Sequence, residues 1–147
     1  MGSVFEPDEL ESMPKAYFAF PGPLRDTLVD AILDGRKVST TGLADAYEAE
    51  SEPLPRVGER SVVVDSADRP VAVIEVTGVE VVALADVDLA HAVDEGEGHT
   101  TVEEWRRGHE DFWHSAELRE AVGDPAFTVD DSTRVVLERF RLVERLG

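Results

Sequence analysis

Apolar residues give the first reading of this chain. The short run Ala16–Phe20 is halted by Pro21-Gly22-Pro23, and then the period changes. Leu24, Leu28, Ala31 and Ile32 recur at helical spacing, Pro23 suits a first helical turn and Gly35 suits a C-terminal cap. The spacing therefore predicts a helix over residues 23–34, with Arg36 and Lys37 just past its negative pole. Residues 36–43 read as that helix end followed by a polar turn, and residues 44–52 as a short helix before the Pro53–Pro55 loop. Val62–Val64 reads as a strand, Ser66–Arg69 as a turn and Val71–Val82 as a long β-branched strand, bent or bulged at Gly78. A short helix over residues 85–96 leads into the loop Glu95-Gly96-Glu97-Gly98. Thr101 and Glu104 form a capping-box pattern that opens a helix through about Ser115. Residues 123–133 read as a loop with a short extended piece, and residues 134–143 as a final strand.

Helices and strands are mixed without strict β-α-β alternation, which predicts an α+β fold with a mainly antiparallel or mixed sheet, open or closed as a small barrel. Residues 1–16 read as a flexible N-terminal arm in which Pro7 and Pro14 break any helix, ahead of one domain over residues 17–147. At 147 residues and 42% hydrophobic content, the chain can bury one core without staples.

Charge narrows the function classes. There are 14 Lys plus Arg against 32 Asp plus Glu, a net −18, so tight sequence-blind binding to nucleic acid is not expected. The chain has no cysteine, which excludes disulfides, thiolate metal sites and a cysteine nucleophile. No signal-peptide pattern and no spanning apolar run is read, so the expectation is a cytoplasmic protein with no membrane partner.

Candidate chemistry follows from residues that break their surroundings. Glu75 sits in an apolar strand and by period two shares a face with Val71, Val73 and Thr77. Either that face is partly solvated, or Glu75 points into a pocket and pairs with a cation such as Lys37. Lys37 is one of only two lysines and precedes Ser39, Thr40 and Thr41. In a turn, Lys37 and Thr40 converge, as base and hydroxyl or as an anion site, although K-x-x-T spacing is common in purely structural settings. Val102, Trp105, His109, Phe112 and Ala116 share one helical face, which is either a core face or a stacking platform for a base. No metal site is expected, because His109 and His114 are one residue too far apart for H-E-x-x-H. No cofactor-binding glycine motif is present either.

Taken in order, several motifs resemble one family. They are Gly35-Arg36-Lys37 followed by hydroxyls, Leu54-Pro55-x-Val57-Gly58 and Ile74-Glu75-Val76-Thr77. The Glu95-Gly96-Glu97-Gly98 loop before Glu103-Glu104-Trp105-Arg106 and the terminal Glu138-Arg139-Phe140-Arg141-Leu142 complete the set. Over residues 17–144 they resemble a small stand-alone ASCH-domain protein. The resemblance implies a PUA-like fold, a small mixed β-barrel with helices packed around it. It also implies a cleft that binds RNA or a nucleotide- or nucleoside-type ligand. Arg36, Ser39, Thr41, Trp105, Arg106 and His109 are then the candidate ligand-binding residues. A second reading is an amidohydrolase acting on an acylated nucleoside such as N4-acetylcytidine, with Lys37, Thr40 and Glu75 matching the positions that act in such relatives. A third is ribonuclease activity with His109 and Lys37 as acid and base. The charge suits a small nucleoside better than a large RNA.

Overall fold

In a computed structural model, residues 5–146 are described. The elements run α1 (Pro7–Ser12), β1 (Lys15–Ala16), α2 (Pro23–Leu33), β2 (Ser39–Leu43), α3 (Ala44–Ala49), β3 (Arg60–Val64) and β4 (Pro70–Ala83). A single 3-10 turn, Leu84–Asp86, leads to α4 (Leu89–Asp94), α5 (Val102–Trp113), α6 (Ala116–Val122) and β5 (Arg134–Arg145). The expected α+β class is found. The five strands form one sheet in the order β1-β3-β4-β5-β2, with only the β1–β3 pair parallel. Its ends are not paired with one another among the described residues, so the expected closed barrel is not seen.

Local chemistry explains most elements. Pro23 opens α2, and Thr101 with Glu104 closes a reciprocal capping box at the start of α5. β4 and β5 pair over almost their whole length, with register shifts beside Val73 and across Val76–Gly78. The second shift is the bulge expected at Gly78.

Three expectations change. Residues 39–43 form an edge strand paired antiparallel with β5, where a polar turn was expected. Residues 116–122 form α6 directly after α5, capped by the Ser115 hydroxyl, a helix absent from the hydrophobic reading. The arm carries α1, because Pro7 falls in the first turn, where a missing N–H costs nothing. Phe5, Leu10 and Met13 pack with Val62, Val64 and Val73, while residues 1–4 of the arm lie outside the described residues.

Two further cores sit against the sheet. Phe18, Leu28, Val29 and Ile32 pack with Val63, Ala72, Ile74 and Phe140. Trp105 and Trp113 of α5 pack with Leu43, Leu84, Val87 and Val135 at the other end. Among the described residues, no helix is long and apolar enough to cross a membrane.

Trp105 is 0% exposed, so it is a core residue and not an open stacking platform. Trp105→Ala is expected to destabilise the fold by about 3–5 kcal/mol, read by urea unfolding. A variant as stable as the parent would show that the ring is not a packing element.

Candidate functional site

The loop after α4 docks onto the chain leaving α2. The Asp94 carbonyl accepts from the Val38 N–H at 2.8 Å. Gly96 lies so close that a Cβ there would sit 2.6 Å from the Arg36 carbonyl carbon and oxygen and 2.7 Å from the Lys37 nitrogen. Its φ of +69° also favours glycine. Two glutamates separated by this glycine, Glu95 and Glu97, are thereby brought against Lys37.

Lys37 is 2% exposed and donates through Nζ to the carbonyls of Ser39 at 2.8 Å and Glu95 at 3.3 Å. Its ammonium lies 3.6 Å from Glu95 Oε1 and 3.9 Å from Glu97 Oε2. Glu95 is 1% exposed and saturated with donors. Trp105 Nε1 donates to Oε2 at 2.8 Å, the Thr41 hydroxyl donates to the same oxygen, and His109 Nε2 reaches Oε1 at 3.1 Å. His91 Nε2 lies 2.7 Å from the Thr41 hydroxyl and 3.3 Å from Glu95 Oε2. The Ser39 hydroxyl donates to the His91 carbonyl at 3.2 Å. Period two along β2 explains why Ser39 and Thr41 meet α4 together.

Protonation follows from these contacts. Burial alone raises the Glu95 carboxyl, but hydrogen bonds from His109 and His91, with the charges of His109 and Lys37, hold it well below its usual range. His109 has the Trp105 carbonyl 2.9 Å from Nδ1 and a Glu95 oxygen at Nε2, so both ring nitrogens meet acceptors. Burial lowers its pKa, yet the hydrogen bond and charge of Glu95, and the charge of Glu97, raise it overall. Both contacts thus favour the protonated ring over the neutral one. Glu97 is raised to about 7, by burial first and then by its hydrogen bond with Glu95. Its side chain is 21% exposed, against 1% for Glu95 and Lys37, so Glu97 forms the outward side of the cluster with His109 at 13%.

Several expected site residues are placed elsewhere. Glu75 does not pair with Lys37; its carboxylate is bound by Arg60 Nε of β3 at 2.9 Å and Arg141 Nε of β5 at 3.3 Å, its partners across the sheet. Thr40 lies between Ser39 and Thr41, so its side chain takes the opposite face of β2, and the convergence expected of a turn is not formed. Arg36 is exposed and bonds Asp34 at 3.0 Å. Arg106 turns to Glu110 at 3.3 Å and Asp131 at 2.6 Å, where it ties α5 to the loop before β5. Lys37, Ser39, Thr41, Trp105 and His109 do come together.

Glu95, Glu97 and His91 were missed by sequence reasoning. The available signal was His91 and Glu95 at i,i+4 on a helix that ends in two Gly-separated glutamates.

Glu95, Glu97 and His109 present ligand atoms within 4.8 Å of one another, a spacing that fits a cation. The Lys37 ammonium already stands against both carboxylates, and both His109 ring nitrogens are engaged by the Trp105 carbonyl and Glu95, so the donor set does not fit a metal. A surface hollow of about 650 Å³ lies beside α6 and is lined by none of these groups. Among its polar members, Arg119 donates to the Phe127 carbonyl at 2.8 Å and His114 accepts from the Val129 N–H at 3.1 Å.

Comparison with known proteins gives a consistent picture. A family model described as the ASCH domain matches residues 16–144. The crystal structure of an ASCH domain from Lactobacillus crispatus superposes with a TM-score of 0.77 at 26% identity, covering 92% of this chain and 82% of that one. A protein from Enterococcus faecalis gives a TM-score of 0.77 at 24% identity, covering 90% and 77%, and shows the likeness of fold alone. No curated protein matches.

Two outcomes are expected. Gly96→Ala forces the loop off the Arg36–Lys37 backbone, so it lowers stability and exposes Lys37 to amine-reactive labelling, read by mass spectrometry. Unchanged labelling would show that Gly96 does not seal the cluster. Glu97 binds its proton more tightly folded than unfolded, so it favours folding below its ordinary pKa of 4.5, and that contribution is lost as pH rises towards about 7. His109, also raised, loses its contribution as pH rises through its folded pKa. Glu97→Gln should flatten the fall in Tm over this window, measured by thermal melts; an unaltered slope would remove Glu97 as its source.

Proposed function

The chain belongs to the ASCH-domain family, and on that premise we propose that it is an amidohydrolase for a small nucleoside-type substrate, with Lys37, Glu95, Glu97 and His109 as its reactive centre. One observation carries this reading. Glu97, a partly open carboxyl raised to about 7, stands 3.9 Å from a buried ammonium and 4.0 Å from His109 Nε2. A carboxyl poised near neutral pH serves as both base and acid.

In this reading ionised Glu97 takes a proton from water as its oxygen attacks the amide carbonyl. The same carboxyl then delivers that proton to the departing amine as the C–N bond breaks. Lys37 and His109 supply fixed positive charge for the oxyanion that develops on the carbonyl oxygen. Glu95 is a positioning residue, since its oxygens are occupied by Trp105, Thr41 and His109. Water replaces Thr40 as the nucleophile. Glu75 has no part in the chemistry, and the fold is an opened form of the PUA-like barrel.

A second reading is recognition without chemistry, in a cleft for RNA or a nucleotide-like ligand. It is favoured by the Lys37 ammonium, whose two carbonyl hydrogen bonds would hold it as a structural cation. Ribonuclease activity fits least, because two carboxylates and a net −18 repel a phosphodiester.

The deciding measurement is hydrolysis of acylated cytidine and related nucleoside amides, followed by chromatography. Turnover is expected, with Lys37→Ala and Glu97→Gln each slower by about 100-fold or more. No turnover across the set, with saturable nucleoside binding, would overturn the hydrolase and leave the binding module.

A further inference from the structure

The hollow beside α6 is a second place where polar side chains gather, and the reactive centre contributes nothing to it. At about 650 Å³ it falls within the size range of small-molecule pockets, roughly 300–1,000 Å³. Two half-buried side chains form its floor, His114 at the end of α5 and Arg119 in α6. Both pin the chain that returns towards β5. The Val129 N–H donates to His114 Nε2, and Arg119 Nε donates to the Phe127 carbonyl. Phe127 and Val129 are thereby held in the core. That gives both side chains a structural purpose, but it uses one nitrogen of each.

The remaining nitrogens are donors without partners. An amide N–H cannot accept, so Nε2 of His114 keeps its lone pair for that bond and the ring proton sits on Nδ1. Neither this Nδ1 nor the two terminal nitrogens of Arg119 bond another group among the described residues. Every fully enclosed polar side-chain atom there has a partner, so these three nitrogens open to solvent. Because Arg119 is anchored through Nε, its fork is held in place before any ligand arrives.

The rim carries the opposite charge. Glu120 and Asp124 are exposed. Asp124 accepts from the Ala126 N–H through Oδ1 at 2.9 Å, which leaves Oδ2 open, and the Glu120 carboxylate has no partner among the described residues. Ala116 and Pro125 add apolar surface. We propose that this hollow binds a zwitterionic α-amino acid with an apolar side chain. The ligand carboxylate takes the Arg119 fork and the His114 Nδ1–H, as guanidinium groups take carboxylates elsewhere. The ammonium takes Asp124 and Glu120, and the side chain lies on Ala116 and Pro125. Both signs of charge in one hollow select a zwitterion over a simple acid or a simple amine. The net −18 of the chain further disfavours a polyanion. This site stands apart from the reactive centre and does not depend on its chemistry.

The test is calorimetric titration of the full chain with L-phenylalanine, 3-phenylpropanoate and 2-phenylethylamine, which share one ring and differ in charge. Phenylalanine should bind about tenfold or more tightly than either, because each analogue lacks one charge-assisted set of hydrogen bonds. His114→Gln keeps an acceptor for the Val129 N–H and loses only the Nδ1–H. It should weaken phenylalanine and 3-phenylpropanoate and leave 2-phenylethylamine unchanged. Asp124→Asn keeps Oδ1 for the Ala126 N–H and loses the charge. It should weaken phenylalanine and 2-phenylethylamine and leave 3-phenylpropanoate unchanged. Thermal melts close to the parent's show that both variants fold. No binding of phenylalanine, equal affinity for the three compounds, or binding that neither variant alters overturns the proposal. Glu97→Gln should leave phenylalanine binding as it is; its loss there would place the amino acid at the reactive centre and also overturn this site. Nucleoside-amide turnover has no bearing on these outcomes, so either site can fail without the other.

Discussion

The Lys37–Glu95 ion pair is the constraint on which the rest of the site depends. Two charges are removed from water here, with each residue at most 2% exposed. Burying a charge is costly unless every donor and acceptor around it is satisfied. The chain meets that demand by bringing three elements to one point: the Thr41 hydroxyl from β2, His91 from α4, and Trp105 with His109 from α5. None of these elements can shift without leaving a buried carboxylate or ammonium short of a partner. The polar network therefore fixes how α4 and α5 lie on the edge strand, and the apolar contacts of Trp105 and Trp113 fill in around it.

The same network explains why the two glutamates of one short loop behave in opposite ways. Glu95 is surrounded by donors and cations, so it stays ionised in spite of burial. Glu97, two residues on, is raised first by burial and then by its hydrogen bond with Glu95, with fewer compensating groups, so its proton is held more tightly. Environments that push two titratable groups apart are a recurrent way of dividing acid and base roles. Gly96 between them permits the turn and the close approach to the Arg36–Lys37 backbone at once.

The strand β2 divides its side chains by alternation. Ser39 and Thr41 enter the saturated network, whereas Thr40, paired with Glu138 of β5, takes the other face. The face towards α4 is thereby built to hold a fixed geometry. The net charge of −18 favours a small uncharged ligand over a polyanion.

Much of this was written in the chain itself. Helical spacing and Pro23 determined α2, the capping box determined α5, and the β-branched run with Gly78 determined the long bulged β4, because each signal is local. The motif order carried the family, and Lys37, Ser39, Thr41 and His109 were legible as candidates. The partner of Lys37 was not. Glu75 looked eligible because it interrupts an apolar strand, but Arg60 and Arg141 come to it from neighbouring strands whose register no local pattern reveals. Residues 39–43 have weak strand character of their own and become a strand only because β5 pairs with them. Tertiary structure alone decided that Glu95, 58 residues from Lys37, would be its counter-ion, since that depends on how a glycine lets one loop close against another.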